Sequence, residues 1–409
     1  MKFRTEIRIS LRHLRSRSFQ TVSAAAVLAL SSALAVMLFI LAQGFRDGLI
    51  RAVEPFDLIV GAKGSPYQLV LNTVLLRDVP IGNIKWSDHA ALSDDARTDF
   101  SIPLAFGDSY RGYPVIGTGD GILRIRRGAR DAERQWLEVA EGRWFEDEFE
   151  AVLGAQTAAE SKLRIGDSFR TSHGVVLEDE HEDLFKVVGI AARVFGPYDR
   201  AVFVNIESIW ENHAHGDHDE DEEDTHDDDD DKEVTAVLVR PASYPDAYSL
   251  AVSFQNDAGK QLVFPAQTAA RLFALMGSGE RFMSVIVYSV AACSLLTTTL
   301  VLYWSNRDRC REKALLGALG ASRGSLVIIS WLEGIFTLTI GALAGELLGR
   351  ASAYAAYSFL AGATAIDISV PMTFREAIVP AVMLIAGSFG VLVMALGEKT
   401  GDAASLKKM

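Results

Sequence analysis

The residues with the clearest capacity for chemistry lie in one short acidic segment, residues 211–233. Four of the chain's eight histidines are found there: His213, His215, His218 and His226. Neutral imidazole and carboxylate groups are ligands for zinc, copper(II) and nickel, and the lack of a thiol disfavours copper(I). A calcium-binding EF-hand is excluded, because Glu222 stands where that loop requires glycine. The segment predicts either a zinc site, to which His173 and His181 would add ligands, or a solvated charged loop.

The same segment accounts for the negative charge of the chain. The 409 residues include 53 acids and 40 bases, a net charge of −13. Residues 211–233 hold 14 of the acids and one lysine, which leaves 39 acids and 39 bases elsewhere. The imbalance is therefore local to this insertion, and we expect no nucleic-acid partner.

No nucleotide site is expected in this chain. The phosphate-binding pattern G-x-x-x-x-G-K-[ST] has no match in the sequence. Residues 61–65, Gly-Ala-Lys-Gly-Ser, have suitable residue types at the wrong spacing and are interpreted as a turn. Any ATP-driven activity would therefore need a separate ATPase. We expect no catalytic residues here and no cofactor beyond the possible zinc.

Four long apolar segments dominate the rest of the sequence. They are residues 18–45, 282–306, 324–349 and 377–397. Each reaches the roughly 20 residues that a helix needs to cross about 30 Å of hydrocarbon. Three contain no charged residue, and the third contains only Glu333 and Glu346. This pattern predicts one span, a large polar domain, and then three clustered spans.

Basic residues beside the spans indicate the orientation. Residues 1–17, 307–323 and 398–409 all carry Lys or Arg. Four spans place these three segments on one side, the cytoplasm. Residues 46–281 then form an extracytoplasmic domain, and residues 350–376 form an outer connection. We therefore expect a multi-pass protein of the bacterial inner membrane.

Residues 1–17 also have an amphipathic pattern. Phe3, Ile7, Leu11 and Leu14 recur at helical spacing among arginines, which predicts an amphipathic helix lying on the membrane surface. A cleaved signal peptide is disfavoured, because the uncharged run that follows has 28 residues and signal cores have about 7–15.

The outer domain is predicted to mix helices and strands. Strands are expected in residues 56–60, 100–106, 113–116, 185–194, 201–206 and 233–239, and helices in residues 151–163 and 266–276. Residues 100–106 and 113–116 are predicted to pair as a hairpin with a long loop. The only cysteines, Cys293 and Cys310, lie outside this domain, so it contains no disulfide.

A recognisable segment follows the second predicted span. Residues 306–323 read N-R-D-R-C-R-E-K-A-L-L-G-A-L-G-A-S-R, which resembles the arginine-rich segment of FtsX-like and MacB-like ABC transporter permeases. Lys313 and Gly317 depart from that pattern. In the outer domain, residues 141–145 (E-G-R-W-F), 151–154 (A-V-L-G) and 163–167 (L-R-I-G-D) are similar to the MacB-like periplasmic core domain.

The resemblance implies a fold and a function. The fold class would be an α-helical membrane protein with four transmembrane helices plus a mixed α+β extracytoplasmic domain of the MacB-like periplasmic core type. The chain would be a permease subunit that works as a dimer with a second copy and relays the motion of a cytoplasmic ABC ATPase to the outer domain, for export or extraction of a substrate. Membrane lipid and a periplasmic partner are further expected contacts.

In the family, the arginine-rich segment contacts the ATPase. The residues carried over to that role are Arg307, Arg309, Arg311, Glu312, Leu315, Leu316 and Leu319. Two alternatives stay open: a regulator of an extracytoplasmic enzyme, and a membrane-anchored zinc-binding protein. Co-purification of an ATPase separates the zinc-binding protein from the other two.

The third predicted span contains a face of small residues. Gly341, Gly345 and Gly349 are four residues apart, a spacing that lets helix backbones approach closely in lipid. This face predicts packing either between spans of one subunit or between two subunits. Glu333 is costly in a membrane unless it is paired, so we expect it to bond a neighbouring helix or a partner, whereas Glu346 lies near the outer end.

Overall fold

A computed structural model describes residues 3–16, 18–127, 133–173, 183–214, 232–272, 320–364 and 378–397, together with short stretches between 274 and 317. The chain forms two compact units. The helical unit comprises Met1–Gly44, Ser278–Phe359 and Ser369–Met409, and the outer unit comprises Phe45–Gly277 and Leu360–Ile368.

The helical elements of the chain are α1 (Phe3–Ser16), α2 (Ser18–Val53), α3 (Pro66–Thr73), α4 (Trp86–Ser93), α5 (Ala155–Ser161), α6 (Ile206–Ala214), α7 (Tyr244–Phe254), α8 (Arg323–Thr364) and α9 (Ile378–Gly397). Residues 265–272 are also helical.

The strands of the outer unit are β1 (Leu58–Ala62), β2 (Ile84–Lys85), β3 (Thr98–Tyr110), β4 (Tyr113–Thr118), β5 (Val139–Gly142), β6 (Glu150–Leu153), β7 (Ser168–Phe169), β8 (Ser172–His173), β9 (Phe185–Ala191), β10 (Val202–Asn205), β11 (Glu233–Val234), β12 (Ala236–Pro241) and β13 (Lys260–Val263). Along the main sheet the order is β13-β1-β12-β3-β4-β10-β6-β9-β5. The pairs β4–β10 and β6–β9 are parallel.

The sheet is buried on both faces, as alternation along its strands shows. In β1, Ile59 belongs to one hydrophobic core, while Leu58 and Val60 belong to the other. In β10, Phe203 contributes to the first core and Val202 and Val204 to the second. Because neighbouring side chains of a strand point to opposite faces, each strand supplies both cores. The prediction of a mixed α+β outer domain is confirmed.

The predicted hairpin is confirmed, but its loop is much shorter than expected. Strands β3 and β4 are antiparallel, and Tyr110 pairs with Tyr113. Only Arg111 and Gly112 lie between them, with φ of 50° and 83°. A two-residue turn with both φ angles positive has the twist that matches paired strands, so the strands continue through residues that were expected to form the loop.

The predicted helix over residues 151–163 is partly wrong. Residues 150–153 form β6, and the helix α5 begins only at Ala155. Strand β6 lies between β9 and β10, and Ala151, Val152 and Leu153 are fully buried there. Burial on both faces therefore decides their conformation, against the helical preference of alanine.

Two helices among the described residues are long and apolar enough to cross a membrane, Ser18–Val53 and Arg323–Ser358. The apolar helical stretches Tyr288–Thr297 and Pro380–Val393 are shorter. The first and third predicted spans thus correspond to long helices, and both helices extend beyond the boundaries predicted from charge. Four spans remain a prediction.

Candidate functional site

The glycine face of α8 packs against α2 within the helical unit. A Cβ atom added to Gly345 would lie 2.6 Å from Ser32 Cβ and 2.8 Å from the carbonyl oxygen of Ala29. The equivalent atom on Gly341 would lie 3.0 Å from the Ala25 oxygen, and on Gly349 it would lie 2.8 Å from the Ala33 oxygen. Three alanines spaced by four residues on α2 therefore face three glycines spaced by four on α8.

This contact brings two helix backbones together without large side chains between them. Ser32 and Val36 of α2 are fully buried beside the glycines. Close packing of this kind is a main source of helix association in lipid, because the hydrophobic effect does not drive helices together there. Of the two kinds of packing that the sequence left open, the structure contains the one between helices of the same chain.

Glu333, one of the charged residues of α8, faces the N-terminal helix α1. The Nδ1 atom of His13 lies 2.8 Å from Glu333 Oε1, and the Glu333 side chain is only 8% exposed. The Ser10 hydroxyl lies between two carbonyl oxygens, that of Glu6 in its own helix at 3.0 Å and that of Ile329, one turn away on α8, at 3.3 Å. The imidazole thus offsets the cost of a carboxylate in an otherwise apolar helix.

The orientation of α1 follows from these contacts. Glu6 and Ser10 are buried, whereas Leu11 is 47% exposed. The helix therefore presents part of its polar side to α8 and leaves Leu11 exposed. The expected amphipathic helix is present, and its placement on a membrane surface stays a prediction. Sequence reasoning missed His13, because its partner is 320 residues away along the chain.

Helix α8 also contacts α9. A Cβ atom on Gly334 would lie 2.5 Å from Val391 Cγ1, and Trp331 Nε1 donates to Ser388 Oγ at 3.2 Å. Glu346, expected to lie near the outer end, pairs with Arg350 at 2.6 Å, one turn along the same helix. Helix α8 is thus in contact with α1, α2 and α9.

The remaining predicted site residues lie outside the part of the chain that the structure describes. These are the ATPase-contact residues Arg307, Arg309, Arg311, Glu312, Leu315, Leu316 and Leu319, and the histidines His215, His218 and His226. The side chain of His213 is likewise not described. Across the described residues, no three His, Cys, Asp or Glu side chains form a group able to hold a metal ion.

In the outer unit, the residues that follow α2 are anchored in the core. Phe56 contacts Trp136 and Tyr198, with ring centroids 5.0 and 5.7 Å apart. The buried Tyr198 hydroxyl donates to the Thr73 carbonyl oxygen at 2.7 Å, and burial raises the pKa of this phenol. Aromatic pairs of this kind stabilise a fold by more than the burial of their surface area alone. The exit of α2 is therefore held by a rigid cluster that sequence patterns did not indicate.

Comparison with known proteins identifies the class first. The family model described as MacB-like periplasmic core domain matches residues 21–253, more than half of the chain. Proteins with this domain are membrane proteins with an extracytoplasmic domain, and they are membrane components of ABC transporters. This chain belongs to the FtsX/MacB-like ABC transporter permease family.

Many solved structures are similar to the chain, and the following two are among them. The periplasmic region of MacB from Actinobacillus actinomycetemcomitans is 12% identical, with a TM-score of 0.35, over 55% of this chain and 95% of that one. The extracellular domain of the noncanonic ABC-type transporter YknZ from Gram-positive bacteria is 12% identical, with a TM-score of 0.30, over 50% of this chain and 98% of that one. No curated protein matches the chain.

Proposed function

We propose that this chain is the permease subunit of an ABC transporter in which a separate cytoplasmic ATPase drives motion of the extracytoplasmic domain. Family membership supports the class of protein. The proposed role is to relay that motion for export or extraction of a substrate, as a multi-pass protein of the inner membrane that works as a dimer.

The observation that carries the relay is the continuity of α2. It is one helix from Ser18 to Val53, 36 residues or about 54 Å at 1.5 Å per residue. Val53 at its end and Phe56 just beyond it belong to the outer-unit core, and near its start the helix packs against α8 through the alanine and glycine faces. A continuous helix with packing contacts in each unit would transmit displacement without needing a channel.

The helical unit offers a second element to this relay. Helix α8 begins at Arg323, immediately after the predicted ATPase contact, and continues for 42 residues. Because α8 holds α1 through Glu333 and α2 through its glycines, we expect these three helices to move together. Since the glycine face is already filled by α2, a second copy of the chain would meet another surface.

The ATPase contact is tested by co-purification with the full-length chain from its host. Arg311→Glu and Leu315→Asp should each abolish co-purification of the ATPase, because they reverse a charge and bury a carboxylate in the proposed contact. Arg271→Glu and Val79→Asp are matched controls, since both residues are exposed in the outer unit. Normal ATPase recovery with both contact variants would show that this loop is not the contact.

The four-span topology is tested separately with reporter fusions. Fusions after Ser322 and at the C-terminus should be active only with reporters that work in the cytoplasm. Activity of a periplasmic reporter at Ser322 would contradict the topology, whatever the outcome for the ATPase.

Zinc binding by residues 211–233 is a second proposal, carried by the four histidines among carboxylates. Such a tract would bind and release metal readily, because acidic residues surround the imidazoles and nothing in the sequence suggests a rigid scaffold. It is compatible with the permease role and would add metal dependence to the outer domain.

A further inference from the structure

A cavity of about 690 Å³ lies in the outer unit, between the exit of α2 and the helix α7. Its walls are mainly apolar and include Ile50, Val53, Phe56, Ala247, Phe264 and Ala269. This volume lies within the range of about 300–1,000 Å³ that is typical of pockets for small organic ligands. An apolar lining of this size indicates a ligand with a substantial hydrocarbon part.

One wall of the cavity is fixed in place. Phe56 is only 4% exposed and contacts Trp136 and Tyr198. The Tyr198 hydroxyl is tied in turn to the backbone of Thr73. Side chains locked in this way keep a pocket open rather than letting it collapse, because collapse would have to break aromatic contacts and a buried hydrogen bond.

The rim carries balanced charges. Arg46 and Arg240 line the cavity together with Glu54 and Asp57. Arg240 Nη1 lies 3.4 Å from Asp57 Oδ2, with both side chains about 40% exposed. Two cations and two anions at one mouth complement a headgroup that itself carries both signs, whereas they give no net attraction for a purely anionic one.

The position of the cavity along the chain indicates where such a ligand comes from. Arg46 is the first charged residue after the uncharged run of residues 18–45. Ile50 follows it one helical turn later, roughly 6 Å along α2. Tyr244, which lines the cavity, and Tyr248 beside it are 75% and 44% exposed, and tyrosines are enriched where a protein meets the membrane–water interface.

We propose that this cavity binds an acyl chain of a zwitterionic phospholipid, with the phosphate and amine of its headgroup at the rim formed by Arg46, Glu54, Asp57 and Arg240. The proposal rests on the proposed function in placing residues 46–281 on the outer side of the membrane. It names the class of molecule that the outer domain would hold beside the bilayer.

The test uses photo-crosslinking in the full-length chain in its own membrane. A diazirine amino acid is placed at Ala270, an exposed cavity-lining residue, and at Val252, which is 67% exposed on α7 but does not line the cavity. After irradiation, the masses of the adducts are read on the purified protein. We expect adducts enriched in zwitterionic phospholipid when the diazirine is at Ala270. We expect no such enrichment when it is at Val252.

Two further variants make the result specific to the cavity and its rim. Ala266→Trp adds bulk at a second exposed lining position and should abolish the Ala270 adduct. Reversal of one rim charge in Arg240→Glu should lower the fraction of adducts that are zwitterionic lipid. Equal adduct yields at Ala270 and Val252, adducts that survive Ala266→Trp, or adducts that are lipidated polypeptides would each overturn the proposal.

Recovery of the ATPase is measured on the same samples. Lipid adducts without a co-purifying ATPase would contradict the permease function and leave the lipid site standing. A co-purifying ATPase without adducts at Ala270 would support the permease function and overturn the lipid site.

Discussion

Replacing Gly345 with alanine should force α2 and α8 apart. The new Cβ atom would lie 2.6 Å from Ser32 Cβ, and ordinary contact begins at 3.4 Å, so the neighbours must move by about 0.8 Å. The second obstacle, at 2.8 Å, is the Ala29 carbonyl oxygen, which belongs to the backbone and cannot rotate away. Overpacking of this kind costs about 1–3 kcal/mol.

Gly324 provides the matched control on the same helix. A Cβ atom there meets nothing closer than Ser322 Oγ at 4.0 Å. Both substitutions gain helix propensity, by up to about 1 kcal/mol, and only one of them creates a clash. Gly345→Ala should therefore be about 1–3 kcal/mol less stable than Gly324→Ala.

The assay is unfolding of the full chain in mild detergent by added dodecyl sulfate, followed by circular dichroism. Equal stabilities of the two variants, or a more stable Gly345→Ala, would refute the close backbone contact. Ser32→Gly combined with Gly345→Ala should recover part of the loss, since it removes the atom that clashes first.

Three further predictions concern the outer unit. Hydrogen bonds from Arg143, with help from two backbone amides, hold the pKa of Glu150 at about 2, below its ordinary value of 4.5. The folded state is therefore stabilised by this carboxylate above pH 4.5, and that stabilisation is lost as the pH falls towards 2. Glu150→Gln should therefore cost about 1 kcal/mol at pH 7, after allowance for solvent screening of a partly exposed pair, and much less at pH 3, as measured by thermal unfolding; an equal cost at both values would contradict this. Tyr198→Phe leaves the buried Thr73 carbonyl without its donor and should cost about 1–3 kcal/mol in the same measurement, whereas Tyr244→Phe, on an exposed side chain, should change stability by less than about 0.5 kcal/mol. A chain lacking residues 215–231 should lose most of its bound zinc in calorimetric titration, and zinc binding to the intact chain should weaken below about pH 6.5, where imidazole protonates; equal zinc stoichiometry with and without the segment would show that it is only a solvated loop.

Local patterns in the sequence predicted the elements of this fold well where one physical effect dominates. The apolar runs of α2 and α8 and the short apolar runs of β4 and β10 are consistent with burial as the dominant effect. Misassignment arose where two effects compete. Ala151, Val152 and Leu153 form a short apolar run, which does not distinguish a buried strand from a buried helix.

Contacts between residues far apart in the sequence could not be predicted from local patterns. The spacing of Gly341, Gly345 and Gly349 shows that a backbone approaches them, but it contains no information on which helix supplies it. Likewise, the pairing of Glu333 with His13 depends on how α1 folds back on α8, and no local rule links positions 320 residues apart. The aromatic cluster around Phe56 could not be predicted for the same reason, since its members come from distant segments.

The distance along the chain between α1 and α8 has a consequence for biogenesis. His13 is synthesised 320 residues before Glu333, which at about 5–20 residues per second corresponds to roughly 15–60 s of translation. During that interval the alanine face of α2 has no glycines to receive it, because Gly341, Gly345 and Gly349 are not yet made. The order of synthesis thus makes the arrival of α8 the event that gives α2 its glycine partner, and α9 is added to the helical unit last.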